Sequence, residues 1–212
     1  MTMSGFMYLN DYGKTLPYDP GGGFALWMQT LTNYHAQVNQ VRVCPSAPEK
    51  KLRIDTIGTA DRAWDWNSTP PYRGSYALNG WLYSGDPYFN SAGDTLKRFT
   101  TEMSIQKPSQ TPAFVDSVWV DLWPYATDTP ARDLYNGELS NGANAGPIGR
   151  CTIARHGGRS PSTAPRKVPA GQKLPGAFNV GCADGHVEFS PLEKLSGFYW
   201  HRDYVPPPSR PK

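Results

Sequence analysis

The stretch "FNVGCADGHVEFSP", Phe178 to Pro191, decides how the chain folds. Asp184-Gly185 sits between two runs rich in apolar and β-branched residues, and Asp-Gly is the favoured pair for a two-residue type I′ turn. The stretch reads as a β-hairpin. With that turn, Ala183 faces His186, Cys182 faces Val187, Gly181 faces Glu188 and Val180 faces Phe189. Alternation then predicts a buried face of Val180, Cys182, Val187 and Phe189, and a wetter face of Gly181, Ala183, His186 and Glu188.

Upstream, "RCTIARHGG" at Arg150 to Gly158 supplies a third strand, so the final sheet is expected to comprise Cys151 to His156, Asn179 to Ala183 and His186 to Ser190. "TPAFVDSVWVDLWP" sets Val118, Val120 and Leu122 against Trp119, Asp121 and Trp123, which predicts one strand covered on both faces. "VRVCPSAP" and "GSYALNGWLYSG" read as extended segments. Irregular polar sequence runs between them from about Glu49 to Pro71. Residues 84 to 110 are loops around "TLKRFTTEMSI", a strand or one helical stretch. At the other end, Met3, Phe6 and Met7 stand at helical spacing, with Asn10 and Gly13 as stop signals. That helix begins with no cap and no preceding loop, as the last turns of a longer helix would. Phe24, Trp27, Leu31 and Tyr34 predict a second, short helix.

The composition is that of a loop-rich, aromatic globular chain and not of a helical bundle: 212 residues with 18% charged, 13% aromatic, 21 Gly and 21 Pro. One domain over residues 1–204 is expected, followed by a Pro-rich tail, 205–212, extended or disordered. A net charge of +3 with no basic stretch interleaved by aromatic residues argues against a nucleic-acid partner. No apolar run is long enough to span a bilayer, and no secretory signal opens the chain. The three cysteines, Cys44, Cys151 and Cys182, allow one pair at most. Cys151 with Cys182 and buried free thiols are equal alternatives, and no spacing approaches C-x-x-C.

The order "MYLNDYGKTLP", "CPSAP", "SYALNGWL", "FVDS", "RHGG", "NVGCADGHVEF" resembles the prepilin-type processing-associated, or H-x9-DG, proteins, relatives of the type II secretion pseudopilins and type IV pilins. The resemblance covers about Phe6 to Phe189. It implies an α+β, pilin-like fold, a long N-terminal helix packed on an antiparallel sheet with long loops. It further implies an assembly subunit of the cell envelope or exterior, whose partners are other pseudopilin subunits and inner-membrane secretion components. Membrane contact would run only through the apolar first half of the helix, which this sequence lacks together with the cleavage and methylation motif. The chain departs from the signature itself, since 27 residues separate His156 from Asp184. The excess, roughly Ser160 to Ala177, reads as a lengthened surface loop.

Candidate sites carry rival readings. His156 and Asp184 with Ser117, Ser160 or Ser190, and with His186 nearby, hold the elements of a serine-type ester hydrolase. No G-x-S-x-G elbow supports this, and the competing expectation is that Asp184 serves the turn while His156 bonds a neighbouring loop. No cofactor is required, although calcium, which related pseudopilins hold in a C-terminal loop, could use Asp116, Asp121, Asp128 and Asp133. Their spacing matches no EF-hand. Of the seven tryptophans, Trp64, Trp66, Trp119 and Trp123 are the candidates for a platform that binds a polysaccharide or other polymer. The reading favoured on sequence is assembly, not catalysis.

Overall fold

A computed structural model describes residues 1–36, 38–48, 56–85, 92–141 and 144–212. Helix α1 spans Thr2–Tyr12 and is ended by Gly13 in the left-handed conformation, φ 61°. Helix α2 is shorter than its apolar spacing suggests, Leu26–Thr30, and passes into a 3-10 turn at Thr32–His35. Strands β1 (Trp64–Trp66) and β2 (Tyr72–Gly74) make a small antiparallel ribbon. The main sheet uses β3 (Tyr76–Asn79), β4 (Pro112–Asp116), β5 (Asp121–Leu122), β6 (Ala177–Cys182) and β7 (Val187–Pro191), in the order β5-β3-β4-β6-β7. All its pairings are antiparallel except β3 with β5. The class is α+β. Among the described residues no helix is long and apolar enough to cross a membrane.

Three sequence expectations are corrected. The single strand expected across "TPAFVDSVWVDLWP" is two, because the chain leaves β4 after Asp116 and returns as β5 along the far side of β3. Cys151 to His156 is no strand: Cys151 closes a 3-10 turn, and only His156 makes a bridge, to Ala177. "VRVC" coils into a 3-10 turn at Asn39–Arg42 before Cys44. The irregular stretch from Glu49 is described only from residue 56, where it soon enters β1, and residues 86–91 of the 84–110 segment likewise lie outside the described residues. "TLKRFTTEMSI" contributes 3-10 turns, Ala92–Lys97 and Glu102–Ser104, not a strand.

The hairpin forms with a different register. Val180 faces Glu188 and Gly181 faces Val187, so three residues, Ala183, Asp184 and Gly185, lie between the partners Cys182 and His186. The Gly185 amide donates to the Cys182 carbonyl at 3.0 Å and Gly185 has φ 95°, the arrangement of a type I turn closed by a left-handed residue and a bulge. One added turn residue exchanges the faces of the returning strand. Val187 and Phe189 are accordingly 65% and 61% exposed while Ser190 is buried.

Helix α1 crosses the sheet face that carries Phe114 and Gly181. A Cβ at Gly181 would lie 1.8 Å from Thr2 Oγ1, and one at Gly5 would lie 3.3 Å from the Phe114 ring. Small residues meet there because helix and sheet backbones come close. Thr2, Ser4 and Leu9 are thus the buried residues of α1, and Met3 and Met7, two of the three apolar residues at helical spacing, are 59% and 45% exposed. One continuous hydrophobic cluster runs from Leu9 to Tyr204 and includes Trp27, Trp64, Trp81, Trp123 and Trp200, each at most 2% exposed. The tail beyond it is tied down: Arg210 donates to Glu193 at 3.0 Å and to the Gln172 carbonyl at 2.6 Å.

Candidate functional site

The sheet register itself assembles a row of polar side chains. Tyr76 on β3 faces Asp116 on β4, and Asn179 on β6 faces Phe189 on β7. Since Val115 faces Val180, Asp116 and Asn179 are neighbours too, and the Asn179 amide donates to Asp116 Oδ2 at 2.7 Å. Cross-strand neighbours project to the same face, so Tyr76, Asp116, Asn179 and Phe189 share one. Two loop residues close over this row. His156 is set by its paired backbone bonds with Ala177, 3.2 and 2.9 Å, and Cys44 by the turn that its carbonyl accepts from Ala47 at 2.9 Å.

His156 Nε2 then lies 3.2 Å from Asp116 Oδ2, 3.6 Å from Cys44 Sγ and 2.9 Å from Asn179 Nδ2. The Phe189 ring stands edge-on to the imidazole with centroids 6.4 Å apart. Beneath, Arg155 is fully buried and donates all five guanidinium N–H groups, to the carbonyls of Thr59, Ala60, Ser75 and Ser117 and to Asp116 Oδ1. Asp116 is therefore a buried carboxylate with a cation on each oxygen's side.

The electrostatics follow from that geometry. The hydrogen bond to Asp116 and then that to Cys44 push His156 up to about 9, against the opposing effect of burial. Burial works against the Asp116 carboxylate, but the His156 hydrogen bond and the Arg155 charge outweigh it and the net direction is down. Burial likewise opposes the Cys44 thiolate, and the His156 hydrogen bond turns the net shift downward. Cys44, Asp116 and His156 form the one group among the described residues whose ligand atoms lie close enough to hold a metal ion, all within 4.8 Å of one another.

The other residues singled out from sequence go elsewhere. Asp184 bonds His186 at 2.6 Å on the exposed turn, not His156. Ser117 is buried, its hydroxyl given to the Arg150 carbonyl at 3.0 Å; Ser160 pairs with Ser162 on the surface; Ser190 is buried. Among the described residues no serine is a hydrogen-bond partner of His156. The four aspartates are not brought together either. Asp116 serves Arg155, Asp121 pairs with Arg150 at 3.1 Å, Asp128 accepts from Tyr125, Asn144 and Ile148, and Asp133 from Tyr135 and Asn136. Trp64 and Trp123 are core residues; Trp66 and Trp119 remain half-buried and edge to face, centroids 5.4 Å apart. Cys151 and Cys182 are free and buried.

Sequence reasoning missed Cys44, Tyr76, Arg155 and Asn179 as members of a site. The signal was nevertheless in view, because "CPSAP", "SYALNGWL", "FVDS", "RHGG" and "NVGCADGHVEF" each contribute to this one cluster. No family model, curated protein or solved structure matches the chain.

Proposed function

We propose that the protein is a pilin-like assembly subunit of a type II secretion or type IV pilus-like system in the cell envelope, working through contacts with other subunits and not by catalysis. The observation that carries this reading is the apolar surface around α1. The helix presents Met3 and Met7 outward while its small residues seat on the sheet, and the neighbouring edge strand β7 presents Val187 and Phe189 on the same face as Gly181. Exposed large apolar side chains on both α1 and the edge strand suit a surface that another chain covers. The motif order that resembles the H-x9-DG proteins agrees with it. Catalysis by His156 with Asp184 finds no support in the hydrogen bonding, which gives each of them a different partner.

The test is fractionation of the source cells with an antibody to this chain. Recovery with sheared surface filaments or with inner-membrane secretion components is expected, and it should be lost in a Met7→Glu, Val187→Glu double variant whose purified domain keeps its circular dichroism. Recovery unaffected by the double variant, or a protein found free of any assembly, would overturn the reading.

A further inference from the structure

The crowding at His156 Nε2 is the least explained feature of the molecule. One imidazole nitrogen faces a thiol sulfur at 3.6 Å, a carboxylate oxygen at 3.2 Å and a side-chain amide at 2.9 Å. A ring N–H makes one good hydrogen bond, and a bare ring nitrogen accepts one. Three polar groups converge on the same nitrogen, which can serve only one of them well. A cation seated among them would serve the sulfur, the oxygen and the nitrogen at once.

The donor set and spacing suit a particular class of ion. Zinc bonds thiolate sulfur at about 2.3 Å, imidazole nitrogen at about 2.0–2.1 Å and carboxylate oxygen at about 2.0–2.2 Å. Tetrahedral angles then set sulfur about 3.6 Å from nitrogen and nitrogen about 3.4 Å from oxygen. The corresponding distances here are 3.6 Å and 3.2 Å. Sulfur and nitrogen ligands exclude calcium and magnesium, which take oxygen. A thiolate and a carboxylate set two negative charges against a divalent ion, and Arg155 beside Asp116 then leaves the cluster one charge positive, as it is with His156 protonated and no ion.

The supporting contacts are those a metal centre uses to hold its ligands. Asp116 is anchored through Oδ1 by Arg155 and through Oδ2 by the Asn179 amide, and His156 is fixed by two backbone bonds to β6. Rotation of the Asn179 side-chain amide would offer its oxygen where its nitrogen now stands, a fourth donor in place of water. We propose that Cys44, Asp116 and His156 form a zinc site, with Asn179 or a water molecule completing it, that pins the Cys44 loop to the ends of β4 and β6.

Metal-free protein, prepared by chelation under reducing conditions, is titrated with zinc against a chromophoric chelator and separately with cobalt. One equivalent of zinc taken from the chelator is expected. The cobalt form should show a near-ultraviolet thiolate charge-transfer band. Cys44→Ser should abolish the band, and both Cys44→Ser and His156→Gln should weaken zinc binding by more than about 100-fold. Cys151→Ser should change neither. No zinc binding by folded wild-type protein, a cobalt form without the band, or affinity unchanged in both variants would overturn the site and leave the cluster as a hydrogen-bonded network. Should either variant fail to fold, the wild-type cobalt spectrum and zinc protection of Cys44 from alkylation, mapped by mass spectrometry, decide the matter alone.

Discussion

Among the aspartate–histidine pairs of the described residues, two could hardly differ more in circumstance. Asp184 and His186 lie two residues apart on the hairpin turn, 2.6 Å between their nearest side-chain atoms, each more than a third exposed. Asp116 and His156 lie forty positions apart in sequence, 3.2 Å between atoms, with the carboxylate wholly buried and bonded to Arg155. The shorter contact is the weaker one. Water screens a pair at a turn and the turn would form without it, whereas Asp116 is the only carboxylate bonded to Arg155 or His156 among the described residues, so its loss strands buried positive charge.

The largest effect should come from breaking the buried pair. Asp116→Ala leaves the Arg155 guanidinium buried beside an empty position, and urea denaturation should show a loss of about 3–5 kcal/mol. The pH dependence comes next. His156 stands at about 9 in the fold against an ordinary 6.5, so its contribution is full below about pH 6.5 and is lost as pH rises towards 9. In chelated protein that loss should be about 2 kcal/mol, absent from His156→Gln and retained in His186→Gln. A thermal-denaturation series across pH 6–9 measures both.

Gly185→Ala tests the turn itself while keeping the side chains of both pairs in the sequence. A side chain at φ 95° is strained, and a loss of about 1–2 kcal/mol is expected, with the hairpin amides exchanging faster by hydrogen exchange. The smallest effect should be that of Asp184→Ala, under about 1 kcal/mol. If Asp184→Ala were to cost as much as Asp116→Ala, the contrast between the pairs would collapse.

How much of this could be read beforehand differs from element to element. The Asp-Gly hairpin, α1 with its Gly13 end and the buried strand at Pro112 were legible, because turn chemistry and apolar runs are local signals. The hairpin register was not. Asp-Gly serves two-residue and three-residue turns alike, and a single residue exchanges every side chain between faces. Nor was the buried side of α1: Met3 and Met7 look like core, but the sheet offers Gly181 and Phe114, whose close approach admits only Thr2 and Gly5. Of the cluster, His156 and Asp116 were singled out for different roles and joined to the wrong partners. No periodicity reveals that Cys44 descends from a loop onto a row set by three strand pairings. Such a site is written in the registers between strands, which the sequence specifies only collectively.

The guanidinium of Arg155 bears on how the chain reaches this state. Its five bonds join residues separated by 38, 39, 80, 95 and 96 positions in the sequence. Contacts that span so much chain are rewarded only after the entropy of closing the intervening loops has been met. Arg155 is therefore expected to find its seat late in folding, after β3 and β4 have paired, and the rate at which the buried pair appears should then report completion of the whole fold.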